Sequence, residues 1–161
     1  PDAGQSSSTA QNSGKQAGHG IELEINWQIS KELKLASNAT WSKATNDQID
    51  QDVAFVPTSQ FYLQLDWKVS DVIHTNIKSN WVKGRERQKE DLRSDINDYV
   101  ITDATIRWQP NDADFTLALM LRNIFDYDAR EPSLNNGATV NLPNDLPLSG
   151  RSVYGELRYQ F

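Results

Sequence analysis

The chain has 161 residues, no cysteine, a formal net charge of -6 and a mean hydropathy of -0.66. That acidic balance argues against nucleic acid as a partner, since no large basic face is left for phosphates, and no stretch approaches the ~20 apolar residues of a membrane helix. A transmembrane β-barrel can be this polar, because half of each strand faces a wet lumen.

Residues Pro1 to Gly20 are rich in Ser, Gln and Gly and follow no initiator methionine or signal peptide. They are expected to be part of an extracellular loop or a disordered start, with a barrel portion running from 21 to 161. Ile21, Leu23, Ile25, Trp27 and Ile29 then alternate with Glu22, Glu24, Asn26 and Gln28, the period-two pattern of a half-polar strand. Leu33, Leu35, Ala39 and Trp41 continue it more weakly, interrupted by Ser37. Phe61, Leu63, Leu65, Trp67 and Val69 form the clearest strand, followed by Ile73, Thr75, Ile77 and Trp81. Val100, Ala104, Ile106 and Trp108 predict a fifth strand, Phe115, Leu117, Leu119 and Leu121 a sixth, and Val153, Leu157, Tyr159 and Phe161 a seventh.

Tryptophan repeats along this pattern. Trp67 and Trp81 lie 40 positions after Trp27 and Trp41, and Ser70 lies 40 after Ser30, which predicts two copies of one hairpin. For the apolar residues of each pair to share a face, parity centres the pairing on Ser30 and Ser70. Trp41 then stands about eight residues further from its turn than Trp27 does. At ~3.3 Å per residue and a tilt of ~40° this is roughly 20 Å of height, close to the ~25 Å apolar band of an outer-membrane barrel. Trp27, Trp67 and Trp108 fall on one rim, Trp41 and Trp81 on the other, and Tyr159 and Phe161 join the interfacial belt.

The connections alternate between short and long. Short turns are predicted around Ser30, around Ser70 and at Pro110, Asn111 and Asp112, and long polar loops from about 43 to 56, 83 to 97 and 126 to 149. Tight turns at one end and long loops at the other match a membrane barrel with periplasmic turns and extracellular loops. A soluble β-sandwich also alternates, but its strands are typically ~5 to 6 residues, its faces are less aromatic and its long loops do not gather at one end.

Catalysis has little support. His19 and His74 are the only imidazoles, there is no cysteine, and no nucleophile motif is present, so neither an enzyme nor a cofactor is expected. Asp47, Asp50 and Asp52 could hold a divalent ion, but the glycine of a calcium-loop turn is missing and a solvated loop explains them, so no metal site is expected. Lys83, Arg85, Arg87, Lys89 and Arg93 alternate with Glu86, Glu90, Asp91 and Asp95. Of these, Arg85, Arg87, Lys89 and Arg93 are the candidate contacts to an anionic ligand or to lipopolysaccharide phosphates, set against the plainer reading of a balanced, exposed loop. Asn135, Asn136, Gly137, Pro143, Asn144, Asp145 and Pro147 punctuate the last loop. Asn38-Ala39-Thr40 has the form of a glycosylation acceptor but lies in a strand.

Leu121, Arg122, Asn123, Ile124, Phe125, Asp126 and Tyr127 resemble the penultimate strand of TonB-dependent outer-membrane receptors running into an Asn-Leu-Phe-Asp type motif. Ser149 to Phe161, SGRSVYGELRYQF, resembles their closing strand, and Gly20-Ile21-Glu22-Leu23-Glu24 a frequent strand opening. The specific motifs cover about a quarter of the chain, and Gly155 departs from an all-hydrophobic closing face. The resemblance implies an all-β, antiparallel transmembrane barrel segment of about seven strands, strands 16 to 22 of a 22-stranded barrel with a plug. It implies residence in the bacterial outer membrane and uptake of a scarce nutrient such as a ferric siderophore. The implied partners are membrane lipid and lipopolysaccharide, the barrel-assembly machinery through the last strand, a small-molecule ligand, and TonB through a plug segment absent from this sequence. Without the plug the segment would not transport. A passive porin, a small structural barrel and a soluble β-sandwich binding module are the alternatives.

Overall fold

A computed structural model of the chain describes residues 15–46, 51–89, 91–133 and 144–161. Among the described residues ten strands occur in order: β1 (Gln16–Gln28), β2 (Leu33–Asn46), β3 (Gln51–Asp52), β4 (Ser59–Lys68), β5 (Ile73–Lys83), β6 (Tyr99–Trp108), β7 (Phe115–Arg122), β8 (Arg130–Glu131), β9 (Leu146–Pro147) and β10 (Ser152–Tyr159). The seven long ones form one antiparallel meander in the order β1-β2-β4-β5-β6-β7-β10. The two-residue β3 folds back onto β2, and β8 pairs with β9 as a separate ribbon. Among the described residues the sheet does not close, so β1 and β10 are open edges.

Register carries one face across all seven strands. Trp27 stands opposite Leu35, Leu35 opposite Leu65, Leu65 opposite Ile77, Ile77 opposite Ala104, Ala104 opposite Leu121 and Leu121 opposite Val153. The adjacent row on the other face is polar through the middle of the sheet: Lys34, Asp66, Asn76 and Thr105 stand side by side. Alternation along each strand thus becomes two surfaces of opposite character. No second layer covers the apolar one among the described residues: Ile21 is 72% exposed, Trp27 58% and Leu157 67%. The buried cluster is small and lies at the loop-bearing end, where Val82, Tyr99 and Ala129 pack with Ile101.

Both predicted serine turns form, with one correction. Gln28 pairs with Lys34 and Lys68 with His74, so the hairpins are centred on Lys31 and Asp71 rather than on Ser30 and Ser70. Moving the centre by one residue changes each pairing by two, which leaves every side chain on the face parity assigned it. The serines act inside the turns. Ser30 Oγ accepts the Glu32 N–H at 3.1 Å, and Ser70 Oγ accepts the N–H groups of Val72 and Ile73 at 3.4 and 3.2 Å. With the new centre, Trp41 stands six residues above the level of Leu35 and Trp27, so the two tryptophan levels are about 15 Å apart rather than 20.

The first strand begins at Gln16, five residues before the expected boundary, because 16–20 pair with 42–46 at the far end of β2. Gly20 belongs to this extension, where a Cβ would lie 2.5 Å from the Trp41 carbonyl oxygen. The third short turn forms where expected, with Asp112 at φ 59° and the Ala113 N–H 3.4 Å from the Pro110 carbonyl.

Candidate functional site

Three surfaces follow from this sheet: an apolar outer wall, a polar inner wall and a set of loops at one end. On the outer wall the aromatic residues gather at two levels. Trp27, Trp67 and Trp108 are 58%, 47% and 42% exposed near the short turns. Phe115 meets Trp108 edge-on at 5.9 Å, and Tyr159 meets Phe161 edge-on at 5.0 Å, extending that level to the last strand. Trp41 and Trp81 stand exposed at the loop-bearing level, with the Lys83 ammonium 5.8 Å from the Trp81 ring centre. The sequence pattern did not single out Phe125, which is also exposed at that end, because it follows β7 and lies outside strand alternation.

At the loop end the candidate ligand contacts Arg85, Arg87 and Arg93 come together, but their guanidinium groups are turned to loop partners. Arg85 is almost wholly buried. It donates to Glu131 Oε2 at 2.9 Å and to the carbonyls of Asn97 and Arg130 at 2.8 and 3.0 Å, stacking 4.8 Å from the Tyr99 ring centre. Arg87 makes a two-pronged pair with Asp145, Nη1 reaching Oδ1 at 2.9 Å, and its Nε donates to the Ser94 carbonyl at 2.7 Å. Arg93 donates to Asp91 and to the Ser133 hydroxyl and carbonyl, and comes within 3.5 Å of Asp145. Lys89 is exposed. The result is a clamp between the 84–98 loop and the 123–151 connection.

The carboxylates of the clamp are correspondingly acidic. Asp145 is held down to about 2, chiefly by the Arg87 hydrogen bonds and helped by the Ser133 N–H, against the opposing effect of burial. Asp91 lies below the usual carboxylate range for the same reason, with Arg93 as the donor. Asp145 appeared in the sequence only as a loop residue between prolines, and its partner lies 58 positions earlier.

A second set of contacts joins the two stretches that carry the family resemblance. Asn123, at φ 46°, accepts the Tyr127 N–H at 2.9 Å and donates to the carbonyls of Tyr127 and Ser149 at 2.9 and 3.2 Å. Its own N–H goes to Asp103 at 2.9 Å. Asp126 accepts the Arg151 N–H at 3.0 Å. The Asn-Ile-Phe-Asp turn and the Gly-Arg pair before β10 are therefore two halves of one staple.

On the inner wall, Tyr62 donates to Gln64, and Gln64 and Asn76 both donate to Asp66. Asn38 donates to Glu22 and Arg122 pairs with Asp103. His74 lies on this face and is exposed, and His19 lies on β1 far from it, so the two imidazoles do not meet. Of the acidic cluster, Asp47 and Asp50 lie outside the described residues, as do Asn135, Asn136, Gly137 and Pro143. Asp52 pairs with Lys43 at 3.5 Å. Among the described residues no group of three or more His, Asp or Glu is placed to hold a metal ion.

An antiparallel meander with a lipid-compatible outside, a polar inside and long clamped loops at one end is the architecture of a transmembrane β-barrel wall. The family model described as TonB dependent receptor-like, beta-barrel matches residues 1–124, and the chain belongs to that family. No curated protein matches it by sequence. Among solved structures it is similar to the ferric yersiniabactin uptake receptor FyuA from Yersinia pestis, with 19% identity and TM-score 0.77 over 92% of this chain and 24% of that one. It is also similar to the ferripyoverdine receptor of the outer membrane of Pseudomonas aeruginosa, at 16% identity and TM-score 0.70 over 91% of this chain and 20% of that one. The ferric citrate transporter FecA gives 19% identity and TM-score 0.70 over 88% and 24%. The chain thus spans about a fifth to a quarter of the length of the receptors whose fold it shares.

Proposed function

We propose that this chain is the C-terminal portion of the barrel wall of an outer-membrane receptor that imports a scarce nutrient, an iron chelate being the class favoured by the names of its structural neighbours. The observation that carries this is the uncovered apolar face, continuous over seven strands and edged by tryptophans, backed by a polar face in a family whose members form TonB-dependent barrels. Trp27, Trp41, Trp67, Trp81, Trp108, Tyr159 and Phe161 act as the membrane girdle, the amphipathic rings of the tryptophans and the tyrosine being suited to the headgroup level. The long loops face outward, towards lipopolysaccharide and incoming ligand. Within them Arg85, Arg87 and Arg93 shape the ligand-facing surface through their mutual clamp, and exposed Lys89 offers the charge.

Among the described residues both edge strands are open and no lumen is enclosed, and the chain does not transport alone. Transport belongs to the full receptor, with a plug that TonB pulls upon, and insertion uses the alternate apolar positions Val153, Leu157, Tyr159 and Phe161 as the signal to the barrel-assembly machinery. The test is uptake of iron-55-labelled ferric chelates by cells whose only such receptor contains this chain. Uptake is expected to disappear when TonB is deleted, and uptake that persists without TonB identifies a passive pore instead. A monodisperse, cooperatively folding monomer of the chain in detergent-free buffer would remove the membrane assignment altogether.

A further inference from the structure

The 84–98 loop has two seams, and the clamp is only one of them. On its other side lies the 51–58 stretch. There the Phe55 N–H donates to the Glu86 carbonyl at 2.8 Å, and the Thr58 N–H reaches the carbonyls of Lys83 and Gly84 at 3.1 and 3.3 Å. The stretch is held from behind as well. Val53 donates to the Ala44 carbonyl at 2.8 Å, and Ser42 donates its N–H to the Thr58 carbonyl at 3.0 Å and its hydroxyl to the Pro57 carbonyl at 3.2 Å. Packing at this seam is close. The Thr58 hydroxyl stands where a Cβ on Gly84 would have to go, and the space left between Val53, Val56, Thr58 and Glu86 is about 10 Å³, room for one water at most.

The loop between the seams is strapped across its own width. The Gly84 N–H donates to Asp98 at 2.8 Å, Arg85 to the Asn97 carbonyl at 2.8 Å and Arg87 to the Ser94 carbonyl at 2.7 Å. Arg85 and Arg87 therefore hold the loop shut with some of their N–H groups and hold Glu131 and Asp145 with others. Beyond the clamp, Arg130 joins 123–133 to 144–151 through the Asn144 carbonyl at 2.7 Å, and the Tyr127 hydroxyl returns to the Asp98 carbonyl at 2.9 Å. Hydrogen bonds thus link the three connections in series.

Hinged closure needs a joint that few bonds cross. Neither seam is one among the described residues. Opening the first breaks the backbone bonds of Phe55 and Thr58 in a close-packed join, and opening the second strands charged groups that are nearly or wholly buried. We infer that the three connections form one prebuilt shelf, with the 84–98 loop as its keystone, and that this shelf does not move as a lid while solute is captured and passed on. It opens as a unit or not at all, and it presents to solute a surface already ordered in folding. The inference rests on the receptor reading only for the statement that solute passes; that the three connections form one body follows from their bonds.

Hydrogen exchange and cross-linking test the two statements separately, both on the full receptor. In detergent, Asp145→Ala breaks the clamp seam, and the Phe55 and Gly84 amides on the far side of the loop are expected to speed up to within about threefold of the Ser133 amide. Gly84→Ala, which breaks the other seam, is expected to speed up Ser133 in turn, since coupling is reciprocal. Asp145→Asn, a milder break, serves if Asp145→Ala does not insert. Acceleration confined to the substituted seam overturns the single body. Because the chain has no cysteine, thiols can be placed across each seam at exposed positions: Val56→Cys with Glu86→Cys, and Gln88→Cys with Asn144→Cys. Cells are treated with a short bismaleimide, and uptake of iron-55-labelled ferric chelate is read before and after, with the single-cysteine variants as baseline. Uptake is expected to change by under about twofold when either seam is cross-linked. A larger loss beyond that baseline shows a moving lid and overturns the proposal, and so does a failure of the paired thiols to cross-link, which shows the seams open in the membrane. If untreated cells take up no chelate, or keep their uptake when TonB is deleted, the receptor reading fails, and the exchange comparison still decides whether the shelf is one body.

Discussion

Replacing Asp145 by alanine tests the loop clamp most directly. The carboxylate accepts two hydrogen bonds from Arg87 and one from the Ser133 N–H at 3.0 Å, and its side chain and that of Arg87 are 10% and 7% exposed. Removing one partner of so enclosed a pair costs about 3 to 5 kcal/mol, because the remaining charge stays desolvated. Arg87 keeps the Ser94 carbonyl and has Asp91 at 3.9 Å, which places the expected cost near the lower end, about 3 kcal/mol. That corresponds to roughly 150-fold less protection of the amides the clamp holds. Hydrogen exchange of the full receptor at the Ser133 and Leu148 amides reads it, since Leu148 donates to Ala129 inside the clamped connection. Protonation does a milder version of the same thing. The Asp145 value of about 2 lies below its ordinary 3.8, so its ionised form adds about 2 kcal/mol of local stability, present in full above about pH 4 and lost as the pH falls towards 2. Asp145→Asn is expected to mimic that smaller loss and to remove the Asp145 share of the pH dependence, leaving the share of Asp91. Exchange at Ser133 and Leu148 that changes less than threefold in Asp145→Ala, after correction for intrinsic rates, would refute the clamp.

Adjacent residues on one strand should respond oppositely to the same charge. Leu65→Arg, on the apolar face opposite Leu35 and Ile77, is expected to cost about 2 to 4 kcal/mol in refolding into lipid vesicles, whereas Gln64→Arg on the inner wall costs under about 1; equal effects would mean the faces are misassigned. Asn123→Ala removes three side-chain hydrogen bonds and places alanine at φ 46°, so about 2 to 4 kcal/mol is lost and proteolysis between β7 and β10 accelerates. Gly84→Ala puts a Cβ 2.0 Å from Thr58 Oγ1 at φ 68°, and a lower thermal midpoint by at least the equivalent of about 1 kcal/mol is expected, with Thr58→Ala relieving the contact but not the backbone strain.

How much of this was legible in the chain depends on the range of the interaction. The two faces could be read from residues such as Leu63, Gln64 and Leu65, because strand geometry turns consecutive side chains to opposite sides whatever the neighbours do. The serine turns could be read from Ser30 and Ser70, yet their centre was displaced by one residue, since parity is blind to shifts that change pairing by two. Strand ends were less legible. Gln16 to Gly20 looks like loop by composition and becomes strand because 42–46 offers it a partner.

The clamp was not legible at all. Arg85, Arg87 and Arg93 show their charge in sequence but not their partners, and the balanced signs of that loop suggested solvent exposure. Asp145 and Ser133 reach them across 40 to 58 positions. His74 and Arg107 become neighbours only because β5 and β6 pair in one register. What the sequence determined by itself is the local and periodic part: strands, faces, rims and which connections are short. Which charges meet, and therefore which are neutralised within the described residues, was decided by the tertiary fold, because electrostatic pairing follows distance in space and not separation along the chain.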